Sequence, residues 1–216
     1  MRILIASATT AEVAPVLAAF GGVRPDCRGI HYAGHEIDVL VTGVGMVAMA
    51  AWCSRALAKT HYGLALNFGV CGSFDRALAP GTVVHVVSDR IAELGAEDGD
   101  AFLTIDELTL PGESEFVNAA PPANAVLKGL PTVSAITVNT VHGNEGSIAD
   151  VTRRFHPQVE SMEGAAFMCA CLMHEIPFAQ VRAVSNIVER RNRNAWKMSE
   201  AVASLGKMAL SIIEHT

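Results

Sequence analysis

Carboxylate, guanidinium and amide side chains stand near the predicted ends of strands in this 216-residue sequence. Glu163 lies where a strand gives way to a predicted helix. The apolar strand predicted over 177–185 carries Arg182 and is followed by Asn186. Ligands of open α/β sheets bind beyond the carboxyl ends of the strands. We therefore predict that three polar strand ends face one cleft: Asn67, Met162-Glu163 and Ser185-Asn186. Any one of them, taken alone, is equally well explained as a helix-capping residue.

A further carboxylate, Glu12, lies near the start of the first predicted helix. Thr9 precedes it by three residues, which is the spacing of a capping box, in which the two side chains hydrogen-bond to each other's backbone N–H groups. A purely structural role for Glu12 at the helix N-terminus is therefore an open interpretation.

Strands alternate with helices along the sequence, which predicts an α/β fold with a mainly parallel, mixed central sheet. We expect a single three-layer α/β/α domain over residues 1–216, without internal repeats. Strands are predicted at 2–7, 29–34, 36–42, 64–69, 81–87, 132–139 and 177–185, and helices after Thr9 and at about 46–60, 147–155, 164–175 and 196–214. The stretch 89–125 is loop-like and is predicted to be a lid or a subunit contact.

Composition excludes several kinds of partner. The net charge is -6 and the one basic run, at 190–193, is short and flanked by Glu189, so nucleic acid is not expected. No apolar run approaches the ~18 residues of a membrane span, and the first strand begins without a signal-peptide cleavage region, so a cytoplasmic location is expected. Apolar residues make up 50% and the mean hydropathy is +0.32, which agrees with a homodimer or higher homo-oligomer.

Metal and cofactor sites are not predicted. The five cysteines contain no C-x-x-C pair and are expected to be reduced. His31 and His35 flank a predicted hairpin turn and are expected to be surface residues. Gly43-Val44-Gly45 lacks the third glycine of a dinucleotide fingerprint and the Lys of a P-loop, so a tight structural turn is favoured over a ligand site.

The order of these motifs resembles the nucleoside phosphorylase and nucleosidase family, which includes methylthioadenosine/S-adenosylhomocysteine nucleosidase. The resemblance extends over nearly the whole chain. It is carried by Glu12 after the first strand, Thr42-Gly43-Val44-Gly45, Asn67-Phe68-Gly69-Val70-Cys71-Gly72, Met162-Glu163-Gly164-Ala165, and Arg182 followed by Ser185-Asn186.

Two departures from the family pattern select within it. Phosphorylases of this type resemble Arg-x-Gly-Ser-Cys-Gly at the glycine turn, whereas this chain has Asn67 and Val70 in place of the Arg and Ser that grip phosphate. Without that cation the anion is poorly held, which favours water as the nucleophile. Asn186 stands where adenine-specific nucleosidases carry Asp, and an amide pairs with a 6-oxopurine through its NH2 and its carbonyl. Hypoxanthine is therefore the expected leaving group.

Further stretches resemble the futalosine hydrolases within this family. They are 94–98, 138–141, 160–166 and 185–196. The resemblance implies hydrolysis of futalosine to dehypoxanthine futalosine and hypoxanthine, in menaquinone biosynthesis. The alternatives are a methylthioadenosine/S-adenosylhomocysteine nucleosidase and a non-catalytic purine-nucleoside-binding protein.

The resemblance also implies a role for each candidate residue. The catalytic set is Glu12 as general base, Glu163 and Arg182 as groups that hold the water or orient Glu12, and Asn186 against the departing base. The substrate-binding set is Met162, Glu163, Asn186, His142 and Val70, with Met162 against the ribose and Glu163 on its hydroxyls. His142 either stacks on the purine or is a solvated loop histidine. From their position alone, Phe102, Leu103 and Phe116 are predicted to cover the substrate's tail.

Overall fold

The computed structural model describes all 216 residues and contains eleven strands and six α-helices. Each strand is at most ten residues long, and the longest helix closes the chain. In chain order they are β1 (Arg2–Ser7), α1 (Thr10–Ala19), β2 (Ile30–Tyr32), β3 (His35–Val41), α2 (Met46–Lys59), β4 (Leu64–Ser73), β5 (Val83–Ile91), β6 (Gly95–Asp98), β7 (Ala101–Thr104), β8 (Glu115–Val117), α3 (Ala125–Lys128), β9 (Thr132–Thr137), α4 (Glu145–Phe155), β10 (Val159–Ser161), α5 (Gly164–Met173), β11 (Phe178–Ile187) and α6 (Met198–Glu214).

Nine strands form one mixed sheet in the order β10-β9-β5-β11-β4-β1-β3-β2, with β8 paired to β5. Five of its nine pairings are parallel, which confirms the predicted mixed and mainly parallel sheet. β10 also pairs with β4, so β4, β11, β5, β9 and β10 close into a ring. Apolar side chains from all five strands fill this ring, among them Cys71, Val84, Val133, Val159 and Val184.

Helices cover both faces of the open part of the sheet, as predicted. Successive residues of a strand point to opposite faces. Thus Ile3 and Ile5 of β1 pack with α1 and α6 in one core cluster, while Leu4 and Ala6 pack with α2 and α5 in the other. α5 has no polar face within residues 164–168, all of which are buried, because it lies between the sheet and α2.

The strands of the ring extend further than predicted. β4 continues to Ser73 rather than ending at 69, because its second half gains partners in both β11 and β10. As a result Asn67 lies inside a strand and not at its end. The stretch 89–125, predicted as a loop, contains the end of β5, the β6–β7 hairpin and β8. Turn residues around these short strands hid them in the sequence pattern.

The outer side of the sheet is closed by short segments. β2 has only three residues and pairs with the first part of β3. Beyond it, the β3 N–H groups of Val39 and Val41 donate to Cys27 O and Asp26 Oδ1, both at 2.9 Å. The loop before β2 therefore accepts hydrogen bonds from the part of β3 that β2 does not reach. None of the helices combines the length and the apolar character that a membrane crossing requires.

Candidate active site

Glu12 uses its two carboxylate oxygens for different purposes. Oε2 accepts from Thr9 N at 2.9 Å and from Thr9 Oγ1 at 2.7 Å, so the predicted capping box is present. Oε1 accepts from the backbone N–H of Val70 on β4 at 3.0 Å. The side chain is buried, with 7% of its surface exposed. The capping role therefore does not exclude a chemical one, since the box fixes the carboxylate at the end of α1 and directs one oxygen towards β4.

Arg182 lies on β11 directly opposite Gly69 of β4 and is completely buried. A β-carbon added to Gly69 would lie 1.9 Å from Arg182 Nη1 and 3.1 Å from Glu12 Oε1, so the absent side chain is the space the guanidinium occupies. Nη2 donates to Asn67 Oδ1, and Asn67 is itself anchored through Nδ2 to Ala6 O at 2.9 Å. Nε and Nη1 have no hydrogen-bond partner within the protein. Of these two buried donors, Nη1 lies on the side of the guanidinium that faces Glu12 Oε1 across Gly69.

Glu163 stands immediately before α5 and is 5% exposed. Its Oε1 accepts from the backbone N–H of Gly45 at 2.9 Å. Burial raises the pKa of this carboxyl, the Arg182 charge opposes that increase, and the negative charge of Glu12 adds to it. The three groups thus act on one another electrostatically, and we refer to Glu12, Glu163 and Arg182 as the carboxylate–arginine cluster.

The turn at Gly43-Val44-Gly45 is what brings a helix N-terminus to Glu163. Gly43 and Gly45 have φ of +89° and +100°, which favour glycine. Gly45 precedes α2, and its N–H points at the Glu163 carboxylate, a favourable place for negative charge. The turn is therefore structural, as favoured from the sequence, and it also positions a candidate catalytic residue.

Asn186 lies after a bulge in β11, where the register with β4 shifts between Val184 and Asn186. The extra residue places Asn186 opposite Gly72. Its Oδ1 accepts from Ser185 Oγ at 2.8 Å and its Nδ2 donates to Ile187 O at 3.0 Å. One N–H and one lone pair of the amide remain for a ligand.

His142 is held by a buried carboxylate that was not among the predicted site residues. Glu160 on β10 is 4% exposed; its Oε1 accepts from His142 N at 3.1 Å, and its Oε2 lies 2.6 Å from His142 Nδ1. The alternative interpretation, that His142 is a solvated loop histidine, is therefore wrong. His142 and Asn186 line the same small cavity, of about 60 Å³. We refer to His142, Glu160 and Asn186 as the amide–imidazole cluster.

A buried network supports both Arg182 and the start of α5. Asp89 on β5 accepts from Thr137 Oγ1 and from Gln180 Nε2, both at 2.8 Å, and Thr137 Oγ1 accepts from Ala165 N at the first turn of α5. Burial raises the pKa of Asp89 to about 6, against hydrogen bonds and the Arg182 charge. No sequence motif marks these residues, because their partners are distant in the chain.

Other predicted site residues have mixed outcomes. Val70 gives its backbone N–H to Glu12 and is half-buried, and Met162 is half-buried between β10 and Glu163. The prediction that Phe116 covers the substrate's tail is wrong, because this side chain is 5% exposed and packs in the core between β8 and α5. Phe102 lies under the guanidinium of Arg154, 4.2 Å from its ring centre.

The two clusters lie along one strand. Gly69 marks the carboxylate–arginine cluster, and Gly72 lies against Asn186 and Glu160, with an added β-carbon 3.4 Å from Asn186 Nδ2. Three residues of strand separate them, which is about 10 Å. The carboxylate–arginine cluster thus lies near Gly69, and the amide–imidazole cluster lies near Gly72. No group of three or more potential metal ligands is present in the protein.

Comparison with known proteins agrees with this arrangement. The phosphorylase superfamily model matches residues 3–214. Futalosine hydrolase from Acidothermus cellulolyticus is 34% identical, covering 94% of this chain and 86% of the relative. The solved futalosine hydrolase of Helicobacter pylori shares the fold with a TM-score of 0.83 and 17% identity, covering 100% of this chain and 98% of the other.

A second enzyme of Helicobacter pylori has the same fold. Its 5'-methylthioadenosine/S-adenosylhomocysteine nucleosidase matches with a TM-score of 0.85 and 16% identity, covering 100% of this chain and 99% of the other. Fold similarity alone therefore does not separate the two kinds of nucleosidase, and sequence identity makes the distinction. The chain belongs to the phosphorylase superfamily and, within it, to the group of the futalosine hydrolases.

Proposed function

We propose that this chain hydrolyses the N-glycosidic bond of a 6-oxopurine nucleoside, with futalosine as substrate and hypoxanthine as the released base, as a step of menaquinone biosynthesis. One observation carries the proposal: the buried, unpartnered Nη1 of Arg182 and Oε1 of Glu12 both border the same place above Gly69. Buried donors without partners are costly, and a carboxylate next to them accepts hydrogen bonds. A water molecule between them satisfies both.

In this mechanism Glu12 is the general base. Water held between Glu12 and Arg182 attacks C1′ of the ribose and passes a proton to Glu12. Positioned base catalysis of this kind contributes about 10²–10⁴-fold to the rate. The capping box keeps Oε2 occupied by Thr9, so Oε1 is the oxygen that faces the water.

Glu163 and Met162 hold the sugar. The Glu163 carboxylate takes the ribose hydroxyls and stabilises the positive charge that develops on the ring as the bond breaks. Burial raises the pKa of this carboxyl, and Arg182 and Gly45 N oppose that increase in favour of the ionised form that this role requires. Met162, next to it, packs against the ribose, and Val70 lies on the same strand as Gly69 beneath the sugar.

Asn186 selects the base. Its free N–H donates to O6 of the purine and its free lone pair accepts from a protonated N7. An adenine base presents an amino group at the 6-position, which leaves the Asn186 N–H without a partner. Mismatched buried groups of this kind discriminate strongly between substrates.

Water rather than phosphate is the nucleophile because the phosphate ligands are missing. Asn67 is fully buried and bound to Arg182 and Ala6, so it does not reach a ligand. Val70 offers a backbone N–H, but that group is already bound to Glu12. We therefore expect no stimulation of base release by inorganic phosphate.

The direct test is to incubate the purified protein with futalosine, inosine or methylthioadenosine and to identify the released base by chromatography. Hypoxanthine from futalosine, at a rate unaffected by phosphate, is the expected result. Faster release of adenine from methylthioadenosine would favour the alternative nucleosidase. Tight hypoxanthine binding without any cleavage would favour a binding protein.

We further propose a homodimer or higher homo-oligomer in the cytoplasm. Apolar side chains are exposed on α2, α5 and β8, notably Val47, Trp52, Val117 and Met173, and a contact between subunits would cover them. The five cysteines are all unpaired, which suits a reducing compartment. Light scattering coupled to gel filtration measures the mass, and a monomer at micromolar concentration would reject the oligomer.

A further inference from the structure

We propose that His142, oriented by Glu160, is the general acid that protonates the purine as the glycosidic bond breaks. This inference rests on the proposed hydrolysis of a 6-oxopurine nucleoside and adds a residue role to it. The amide at position 186 binds the base but cannot supply a titrating proton. A second group in the amide–imidazole cluster is needed for that step.

Two hydrogen bonds fix the orientation of the imidazole. The Glu160 carboxylate accepts from His142 N through Oε1 and from Nδ1–H through Oε2, at 3.1 and 2.6 Å. An ionised carboxylate only accepts, so Nδ1 carries a hydrogen and Nε2 is the nitrogen left for a substrate. Phe74 meets the ring edge-on, with ring centres 6.2 Å apart. Glu160 is therefore a positioning residue.

No other group around the cavity fits this role. Its other titratable side chains are Glu189 and Arg191, both on the segment that follows β11. Glu189 is 40% exposed, and its carboxylate is paired with the Arg76 guanidinium at 3.9 Å. Arg191 does not release a proton at neutral pH. His142 is the residue in this cavity that can both carry and donate a proton near neutrality.

In the proposed reaction Glu12 takes up one proton and His142 gives up another. Water oxygen bonds to C1′ and its proton passes to Glu12, while the C1′–N9 bond breaks and its electron pair moves into the purine. The proton on Nε2 of His142 passes to N7 of the purine, so the base leaves neutral. Solvent then removes the proton from Glu12 and returns one to His142, which restores the starting state.

The test compares leaving groups that do and do not need a proton. His142→Gln keeps a donor for Glu160, and Glu160→Gln keeps an acceptor for Nδ1–H without the charge. Both are assayed with futalosine or inosine and with 4-nitrophenyl riboside, whose nitrophenolate leaves unprotonated. His61→Gln, on an exposed residue, is the matched control. Thermal unfolding of each variant verifies that it is folded.

We expect His142→Gln to lower kcat/KM on the nucleoside about 10²–10³-fold and to change the rate on 4-nitrophenyl riboside less than threefold. The fall of wild-type nucleoside kcat/KM with rising pH should be absent in this variant. Glu160→Gln should lower kcat/KM on the nucleoside more than on 4-nitrophenyl riboside, because the imidazole loses the carboxylate that orients it. Of the charged groups that face His142, Glu189 and Arg191 remain in every variant.

Two results would overturn the inference. One is nucleoside hydrolysis by His142→Gln at a near wild-type rate with an unchanged pH profile. The other is an equal loss on both substrates, which indicates a structural role. In either case wild-type hypoxanthine release leaves the proposed function intact. If the wild-type protein releases no base from any 6-oxopurine nucleoside, the proposed function fails, and the inference fails with it.

Discussion

Gly69 and Arg182 face each other on neighbouring parallel strands, and the guanidinium fills the place where a side chain at position 69 would be. This relationship lets a fully buried arginine stand beside Glu12 without displacing the backbone. The φ of Gly69 is not positive, so its backbone conformation does not require glycine. Glycine is required at this position because a side chain would take the space of the guanidinium.

Gly69→Ala should therefore abolish most activity. The new methyl group would lie 1.9 Å from Nη1 and displace the guanidinium from the proposed water site. We expect a fall in kcat of at least about 10²-fold and a loss of about 1–3 kcal/mol in the free energy of unfolding. Gly129→Ala is the control, since its β-carbon would meet only ordinary contacts at 3.5 Å or more. Near wild-type kcat in Gly69→Ala would contradict this account.

Glu12→Gln separates the capping role from the chemical one. Glutamine is accepted at this position of a capping box, so the protein should lose only about 1 kcal/mol of stability. Activity should fall about 10²–10⁴-fold because an amide does not take a proton from water. Thr9→Ala is the counterpart: it removes the cap, at a similar cost in stability, but leaves the carboxylate. Steady-state kinetics and chemical denaturation of both variants measure the two effects, and equal kcat values would reject the base role.

Asn186→Asp should reverse the preference among bases. A carboxylate only accepts hydrogen bonds, so it repels O6 of a 6-oxopurine and accepts a hydrogen bond from the 6-amino group of adenine. The ratio of kcat/KM for inosine to that for adenosine should fall about 10²-fold or more. Asn194→Asp introduces the same charge on an exposed turn nearby and should leave the ratio unchanged. An unaltered ratio in Asn186→Asp would show that the amide does not contact the base.

Asp89 should make stability depend on pH. Its pKa of about 6 in the folded protein, raised by burial above the ordinary 3.8, means that the folded state holds this proton more tightly than the unfolded state does. The contribution of Asp89 to the free energy of unfolding is therefore greatest below about pH 4. It falls by about 3 kcal/mol in all as the pH rises towards 6.

Asp89→Asn should remove that dependence. Gln180 Oε1 lacks a partner in the wild-type protein and can accept from the new amide, so the variant should fold. The difference in unfolding free energy between variant and wild type, measured by denaturation from pH 4 to 7, should change by about 3 kcal/mol. Asp98→Asn, on the exposed β6, is the control. A constant difference over this range would show that Asp89 does not titrate there.

The fold class was predictable because it follows from local patterns. Apolar strands such as 2–7 and amphipathic helices alternate along the chain, and their faces appear in the structure as the two core clusters. The capping box of Thr9 and Glu12 was predictable for the same reason, since its two residues are three apart. Glu163, Arg182, Asn186 and Glu12 were identified by motif and resemblance, and their chemical roles stay predictions.

Contacts between distant strands were not predictable. The pairing of β10 with β4 brings Glu160 and Gly72 together from positions 88 residues apart, and no local sequence pattern predicts this pairing. Likewise, a regular β11 would place Asn186 opposite Ser73, whereas the bulge after Val184 places it opposite Gly72. Glu160 was missed as the partner of His142 because the contact joins separate parts of the chain. The geometry of Asn186 was missed because the sequence does not show the bulge.

The arrangement of the outer strands has a consequence for the protein's behaviour in solution. An unpaired strand edge is a template for the strands of other molecules and promotes aggregation. Here β4, β5, β9, β10 and β11 close on themselves, β2 is three residues long, and the loop at 26–27 occupies the N–H groups of β3 beyond it. The apolar strands that make this chain unusually hydrophobic are thereby kept from joining the sheets of neighbouring copies.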